Sequence, residues 1–149
     1  MRIAIASDHG GFDQKGPLAA YLADELGHEV LDFGPDTADS VDYPDYAEKV
    51  ARAVSAGDAD FGVLICGTGI GMAVAADKVA GVRASSITSP AFAELFRQHN
   101  NGNVVCLSGR FIDLDVNREI VRTFLETPFE GGRHERRVAK ISALENAGE

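Results

Sequence analysis

Short apolar runs rich in β-branched residues alternate along this chain with longer stretches in which apolar positions recur at helical spacing. The runs predict strands at Arg2–Ser7, Glu29–Phe33, Phe61–Cys66, Val82–Ile87 and Asn103–Ser108. Between the first two lies a helical pattern from residue 12 to about 26, with Leu18, Tyr21, Leu22 and Leu26 on one face and Gly27 as its stop. Pro17 is expected in its first turns, where a missing N–H does little harm. Gly34–Tyr43 reads as a polar loop containing Pro35. Further helices are predicted from Pro44 to about Ala56, over Gly71–Val79, over Pro90–His99 and from Leu114 to about Glu126. A last one runs from Arg133 to about Asn146, after the break at Gly131-Gly132.

Strict alternation of strand and helix implies a parallel sheet covered on both faces. Right-handed crossovers place every strand's C-terminal end on one edge, where ligands of open α/β sheets bind. Asp8-His9-Gly10-Gly11, the loop after Cys66 and Ser108-Gly109-Arg110 all follow strands, so they share one rim. No internal repeat, low-complexity tract or linker interrupts residues 1–149, which read as one domain. The final helix follows a double-glycine hinge and is free to pack on a neighbouring subunit.

Composition narrows the classes. The chain has 149 residues, 45% of them hydrophobic, enough for a proper core and too many for a disordered segment. No apolar run approaches the ~18 residues needed to cross a bilayer. The run before Asp8 is too short for a secretory signal, so a cytoplasmic setting is expected. With 14 Lys+Arg against 23 Asp+Glu the net charge is −9, a surface that repels nucleic acid. Arg133-His134-Glu135-Arg136-Arg137 is a basic exception, read either as a site for a small anion or as a solvated helix face with i,i+4 pairs.

The richest stretch is Phe61-Gly-Val-Leu-Ile-Cys66-Gly67-Thr68-Gly69-Ile70-Gly71. A buried strand runs into a glycine loop and then a helix, with a thiol at the junction. The Gly-x-Gly-x-Gly spacing, after the third strand and with no acidic residue ending the next one, argues against a dinucleotide site. No Lys-Ser/Thr follows, so it is not a phosphate-binding Walker loop. What remains is a nest of N–H donors at a helix start, suited to an anion or oxyanion, or else a plain tight turn. Cys66 is either a base whose thiol is activated by the helix N-terminus or an inert strand-end cysteine. Cys106 reads as a small core residue. Asp8-His9 is either a proton-moving, hydroxyl-orienting pair or a helix cap with a surface histidine. His99 is either catalytic or a complement to its helix dipole. The four histidines (9, 28, 99 and 134) show no pair at ligand spacing, so no metal site is expected. A nucleophile elbow of the Gly-x-Ser-x-Gly kind is lacking, which removes a serine hydrolase.

Taken together, several motifs resemble the sugar-phosphate isomerase family that holds the B-type ribose-5-phosphate isomerases with galactose-6-phosphate and allose-6-phosphate isomerases. They are Ser7-Asp8-His9-Gly10-Gly11-Phe12, Asp42-Tyr43-Pro44, Ile65 to Gly71, Arg97-Gln98-His99-Asn100, Gly109-Arg110, and Glu130-Gly131-Gly132-Arg133-His134 with Arg137. The likeness runs over essentially the whole chain. It implies a Rossmann-like three-layer α/β/α sandwich with a five-stranded parallel sheet, and a C-terminal helix packing on a partner subunit. It implies a homodimer or tetramer with active sites shared between chains, a small phosphorylated sugar as substrate, no nucleic acid or membrane partner, and no metal or organic cofactor. The implied reaction is aldose–ketose isomerisation of ribose 5-phosphate and ribulose 5-phosphate through a cis-enediolate. Another aldose phosphate as substrate, a non-catalytic phosphosugar binder and a flavodoxin-like nucleotide module are the alternatives.

Roles follow by position from the same resemblance. Cys66 matches the base between C1 and C2. Thr68 and the N–H groups of Gly67, Gly69, Ile70 and Gly71 match the enediolate cradle. His99 matches the ring-opening residue, supplied with Asn100 by the partner chain. Asp8 matches a contact to sugar hydroxyls or ring oxygen. His9, Arg110, Arg133 and Arg137 match a phosphate clamp, and Tyr43 a wall of the sugar pocket. One branch of the family lacks the cysteine and carries a glutamate where this chain has Ile70, so Cys66 with Ile70 places the chain in the thiol branch.

Overall fold

The computed structural model describes residues 1–147. Its strands are β1 (Arg2–Ser7), β2 (Glu29–Asp32), β3 (Phe61–Cys66), β4 (Ala84–Ser86) and β5 (Val104–Ser108). Its helices are α1 (Phe12–Ala20), α2 (Tyr43–Ser55), α3 (Ile70–Ala76), α4 (Pro90–Asn100), α5 (Leu114–Glu126) and α6 (Arg133–Leu144). The strands form one five-stranded parallel sheet in the order β2-β1-β3-β5-β4. Ser7 lies beside Ile65, and Cys66 beside Ser108.

Side chains of the central strands alternate between two cores. Ile3, Ile5, Val63, Ile65, Val105 and Leu107 pack with α1, α4 and α5 through Leu18, Phe96, Ile120 and Phe124. Ala4, Ala6, Leu64, Cys66, Val104 and Cys106 pack with α2 and α3 through Val50, Val54, Met72 and Ala76. Burial on both faces explains why these strands read as unbroken apolar runs instead of alternating ones. The second face is built of small residues because α2 comes close. A Cβ on Gly62 would lie 2.6 Å from Val50 Cγ1. This is the predicted Rossmann-like α/β/α sandwich.

Element ends differ where tight turns intervene. The predicted helix over 12–26 is α1 followed by a π-helical turn at Tyr21–Glu25, in which the Leu26 N–H donates to the Tyr21 carbonyl. Gly27 at φ 73° then stops it, and the His28 N–H closes on the Leu22 carbonyl. Pro17 lies inside α1, six residues in. α3 begins at Ile70 and ends at Ala76, because the Lys78 and Val79 N–H groups drop back to carbonyls three residues earlier. β4 loses Val82, whose N–H turns back to the Val79 carbonyl, and Ile87, which bonds to the Cys106 carbonyl just past the strand. β2 stops at Asp32, whose carboxylate holds the buried Lys15 at 2.8 Å and the Gly34 N–H at 2.8 Å. α6 lies against α4 of its own chain, with His134 buried and Leu144 72% exposed.

Candidate active site

From β1 the chain crosses outward to β2, and from β3 it crosses to the other side, so β1 and β3 are adjacent and their following loops diverge. That is the topological switch point at which α/β sheets open a crevice. Asp8 leaves β1 and Gly67 leaves β3 there.

Backbone contacts lock the loops of this rim together. The Gly109 N–H donates to the Cys66 carbonyl at 2.8 Å, and the Arg110 N–H to the Gly67 carbonyl at 3.2 Å. Ser108 Oγ donates to the same Gly67 carbonyl at 2.7 Å while accepting the Phe111 N–H. Gly109 is required here, since a Cβ would lie 2.8 Å from the Gly10 carbonyl oxygen. Gln14 Nε2 holds the Gly109 and Ile112 carbonyls, and buried Asn117 Nδ2 holds Gln14 Oε1 and the Ser108 carbonyl. Gln14 and Asn117 carry no motif, and the sequence reading passed over them. Only their contacts reveal them as supports of the Arg110 loop.

Cys66 Sγ accepts the Gly69 N–H at 3.1 Å. That donor points inward because Gly69 takes φ 80°, a left-handed conformation that glycine adopts freely. The bond ties the sulfur to the loop that opens α3. Cys66 retains 5% exposure, whereas Cys106 has none. Complete burial, with the Asp77 carboxylate and the Cys66 sulfur adding to it, pushes the Cys106 thiol well above its ordinary value, as befits an inert core residue.

On the same rim, Asp8 is 8% exposed and accepts the Gly11 N–H at 3.1 Å. His9 Nδ1 accepts the Val41 N–H at 3.2 Å, which leaves the ring proton on Nε2 as a donor. Thr68 is exposed, its Oγ1 accepting the Ile70 N–H at 3.2 Å. The Arg110 guanidinium lies over Gly67, with Nη1 3.1 Å from where a Cβ would sit. The Tyr43 ring covers Gly71 in the same way at 2.8 Å. A groove of about 430 Å³ between α2 and α3 runs up to Tyr43 and Gly71.

His99, Asn100, Arg133 and Arg137 are not on this rim. β4 ends at the rim, and the 11-residue α4 runs back about 16 Å to the opposite edge, from which β5 sets out. His99 and Asn100 end α4 there, beside the start of α6. The His99 ring stacks on the ring of His134, centroids 4.4 Å apart and planes 13° apart. Glu130 Oε2 lies 3.3 Å from His134 Nε2. Arg97, 8% exposed, ties this corner down through the Thr127 and Gly102 carbonyls and Asn101 Oδ1. A separate groove of about 590 Å³ on this edge is lined by Asp77, Arg83, Phe96, Asn100, Ile141 and Leu144. The histidines that the sequence spaced too far apart for a ligand pair are thus partly gathered. Donor atoms of His99, Glu130 and His134 lie within 4.8 Å of one another. The stacked rings keep their in-plane lone pairs in two separate, near-parallel planes, so in this arrangement the imidazoles do not converge on one ion.

The sequence profile of the Ribose/Galactose Isomerase family matches residues 3–141, and the chain belongs to that family. Ribose-5-phosphate isomerase B of Escherichia coli is 45% identical over 144 residues, covering 97% of this chain and 96% of that protein. The solved ribose-5-phosphate isomerase B of Clostridium thermocellum superposes with a TM-score of 0.97 at 46% identity, covering 100% of both chains. The structure of ribose-5-phosphate isomerase B from Mycoplasma genitalium with bound ribulose-5-phosphate superposes with a TM-score of 0.93 at 47% identity, covering 98% of this chain and 97% of that one. Among the described residues no helix is long and apolar enough to cross a membrane.

Proposed function

We propose that this chain is an aldose–ketose isomerase interconverting ribose 5-phosphate and ribulose 5-phosphate, working as a single domain over residues 1–149. The observation that carries the reading is the Cys66 sulfur, fed by the Gly69 N–H at the switch point of a fold that holds ribulose-5-phosphate in a 47% identical relative. In this reading the Cys66 thiolate takes the proton from C2 of the open aldose and returns it to C1. The electron pair left behind makes a cis-enediolate, and the hydroxyl proton passes from O2 to O1 before C1 is reprotonated. Thr68 and the N–H groups of Gly67 and Gly71 receive the negative oxygens, while the Gly69 and Ile70 N–H groups hold Cys66 Sγ and Thr68 Oγ1 in place. A placed base contributes roughly 10²–10⁴-fold and one such oxyanion donor about 3 kcal/mol. Asp8 orients the sugar hydroxyls and Tyr43 walls the pocket. The protein's own groups supply each step, so the reading needs no cofactor.

Cys66 and His99 sit at opposite edges of the sheet within one chain, so the reading places His99 and Asn100 on a second copy. Arg133 and Arg137 share the far edge with His99 and enter with it. They meet His9 and Arg110 of the first copy around the phosphate. Arginine suits that task because its planar fork binds phosphate oxygens in pairs. A homodimer, alone or paired into a tetramer, is then the working unit, with α6 at the contact. Two free thiols fit a cytoplasmic setting.

The test is incubation with ribose 5-phosphate in deuterated water. Ketose should form, with deuterium entering carbon-bound positions at C1 or C2. Binding of the sugar without ketose or label would reduce the protein to a phosphosugar-binding module.

A further inference from the structure

His134 occupies a place that its neighbours Arg133 and Arg137 do not. It is 7% exposed on a helix whose other residues are largely in solvent. Its ring lies flat against His99 at 4.4 Å, and its Nε2 faces the Glu130 carboxylate at 3.3 Å. Glu130 is itself held, since its N–H donates to the Gln98 carbonyl at 3.2 Å, one residue before His99. The turn that carries Glu130 back to α6 passes through Gly131 and Gly132 at φ 68° and 55°. The half-buried His99 side chain, by contrast, makes no hydrogen bond among the described residues, so the stack is the contact that defines its ring plane.

We propose that His134, seated beside Glu130, is the positioning residue for His99: its flat ring fixes the plane of the ring-opening imidazole and so presents the nitrogen of that imidazole to the sugar ring. The inference rests on the isomerase reading, in which His99 opens the furanose before Cys66 acts. A flat ring stacked on another restricts tilting while leaving the ring edge, where the nitrogens are, free to reach substrate. Misplacing a catalytic group by about 1 Å costs on the order of 10²-fold in rate. Glu130 and His134 contribute no atom to the reacting carbons, so their effect is confined to the step that uses His99.

That confinement supplies the test. Ribose 5-phosphate closes to a furanose. Ribulose 5-phosphate has its only suitable hydroxyl, at C5, occupied by phosphate and stays open. Exchange of a C1 hydrogen of ribulose 5-phosphate with deuterated water therefore needs Cys66 and the oxyanion cradle but no ring opening. His134→Leu, which keeps bulk and loses the flat ring, is expected to lower kcat from ribose 5-phosphate about 30-fold to 100-fold. The same variant should exchange C1 of ribulose 5-phosphate within about twofold of the unaltered protein, since His99 has no part in that step. His134→Phe should restore most of the aldose turnover, because it returns a planar ring. Equal loss of turnover and exchange in His134→Leu overturns the proposal, whether from misfolding or from a direct role. So does unchanged aldose turnover in that variant, or a His134→Phe no better than His134→Leu. The isomerase reading fails separately, when the unaltered protein neither turns over nor exchanges.

Discussion

The thiol rim and the histidine corner divide the candidate chemistry between them, yet they are built in opposite ways. The rim is backbone. The Cys66 and Gly67 carbonyls accept the Gly109 and Arg110 N–H groups, and the sulfur accepts the Gly69 N–H. The histidine corner is side chains. His99 leans on His134, His134 on Glu130, and Arg97 holds the end of α4 from beneath. A proton-transferring base and an oxyanion cradle benefit from parts that do not move during reaction, which a backbone nest supplies.

Breaking the rim should have the largest effect. Cys66→Ala is expected to fold with an unchanged melting profile and to lose roughly 10³-fold in kcat, the contribution of a positioned base. Turnover near that of the unaltered protein would remove Cys66 from the mechanism.

The split between the regions is tested by mixing. His99→Asn should be impaired in turnover of ribose 5-phosphate by about 10²-fold, as expected when a placed acid–base group is lost. Unfolded together and refolded, or co-expressed, Cys66→Ala and His99→Asn chains should form mixed dimers with one doubly damaged site and one intact site. Random pairing in a two-fold dimer gives about a quarter of the specific activity of the unaltered protein. No recovery on mixing would mean that each site is drawn from one chain.

Arg137→Ala probes the far edge's share of phosphate recognition. It should raise KM for ribose 5-phosphate by about 10-fold to 100-fold, the worth of a hydrogen bond to a charged group, while leaving KM for free ribose nearly unmoved. Equal shifts for both sugars would take Arg137 out of the clamp. Gly71→Ala, by contrast, perturbs the rim sterically, since the new methyl would lie 2.8 Å from the Tyr43 ring. A loss of about 1 kcal/mol in stability is expected from the crowding, with KM raised as Tyr43 is displaced.

The smallest expected effect lies on the far edge. Asp77 accepts the Ala84 N–H at 2.7 Å, and burial outweighs that bond and raises its carboxyl above the ordinary value. A carboxyl whose pKa is higher in the folded chain favours folding when protonated. Its contribution is therefore fully present below the unfolded pKa and fades as pH rises through the folded one. Asp77→Asn should flatten that part of the stability curve in the window just above the ordinary carboxylate range, measured by denaturant melts across pH. An unchanged slope would show that another group sets it.

Much of this molecule was settled by order along the chain. Short, β-branched apolar runs such as Ile3–Ala6 and Val104–Leu107 read as strands buried on both sides, and their alternation with helices leaves a parallel sheet whose loops meet at one rim. Cys66, Gly67, Thr68 and Gly69 were legible for the same reason, because a strand, a loop and a helix that follow in sequence must touch in space. The boundaries of β4 and α3 were not, since i→i+3 turns at Val82 and Val79 depend on local geometry that composition does not specify. Neither was the histidine corner. His99 and His134 stand 35 positions apart on unremarkable helix ends, and their stacking comes from the path of α4 back to the far edge and from the turn at Gly131-Gly132. Contacts between neighbours in sequence are fixed by covalent geometry and local propensity. Contacts between distant elements are fixed only when the whole sheet sets where each helix ends.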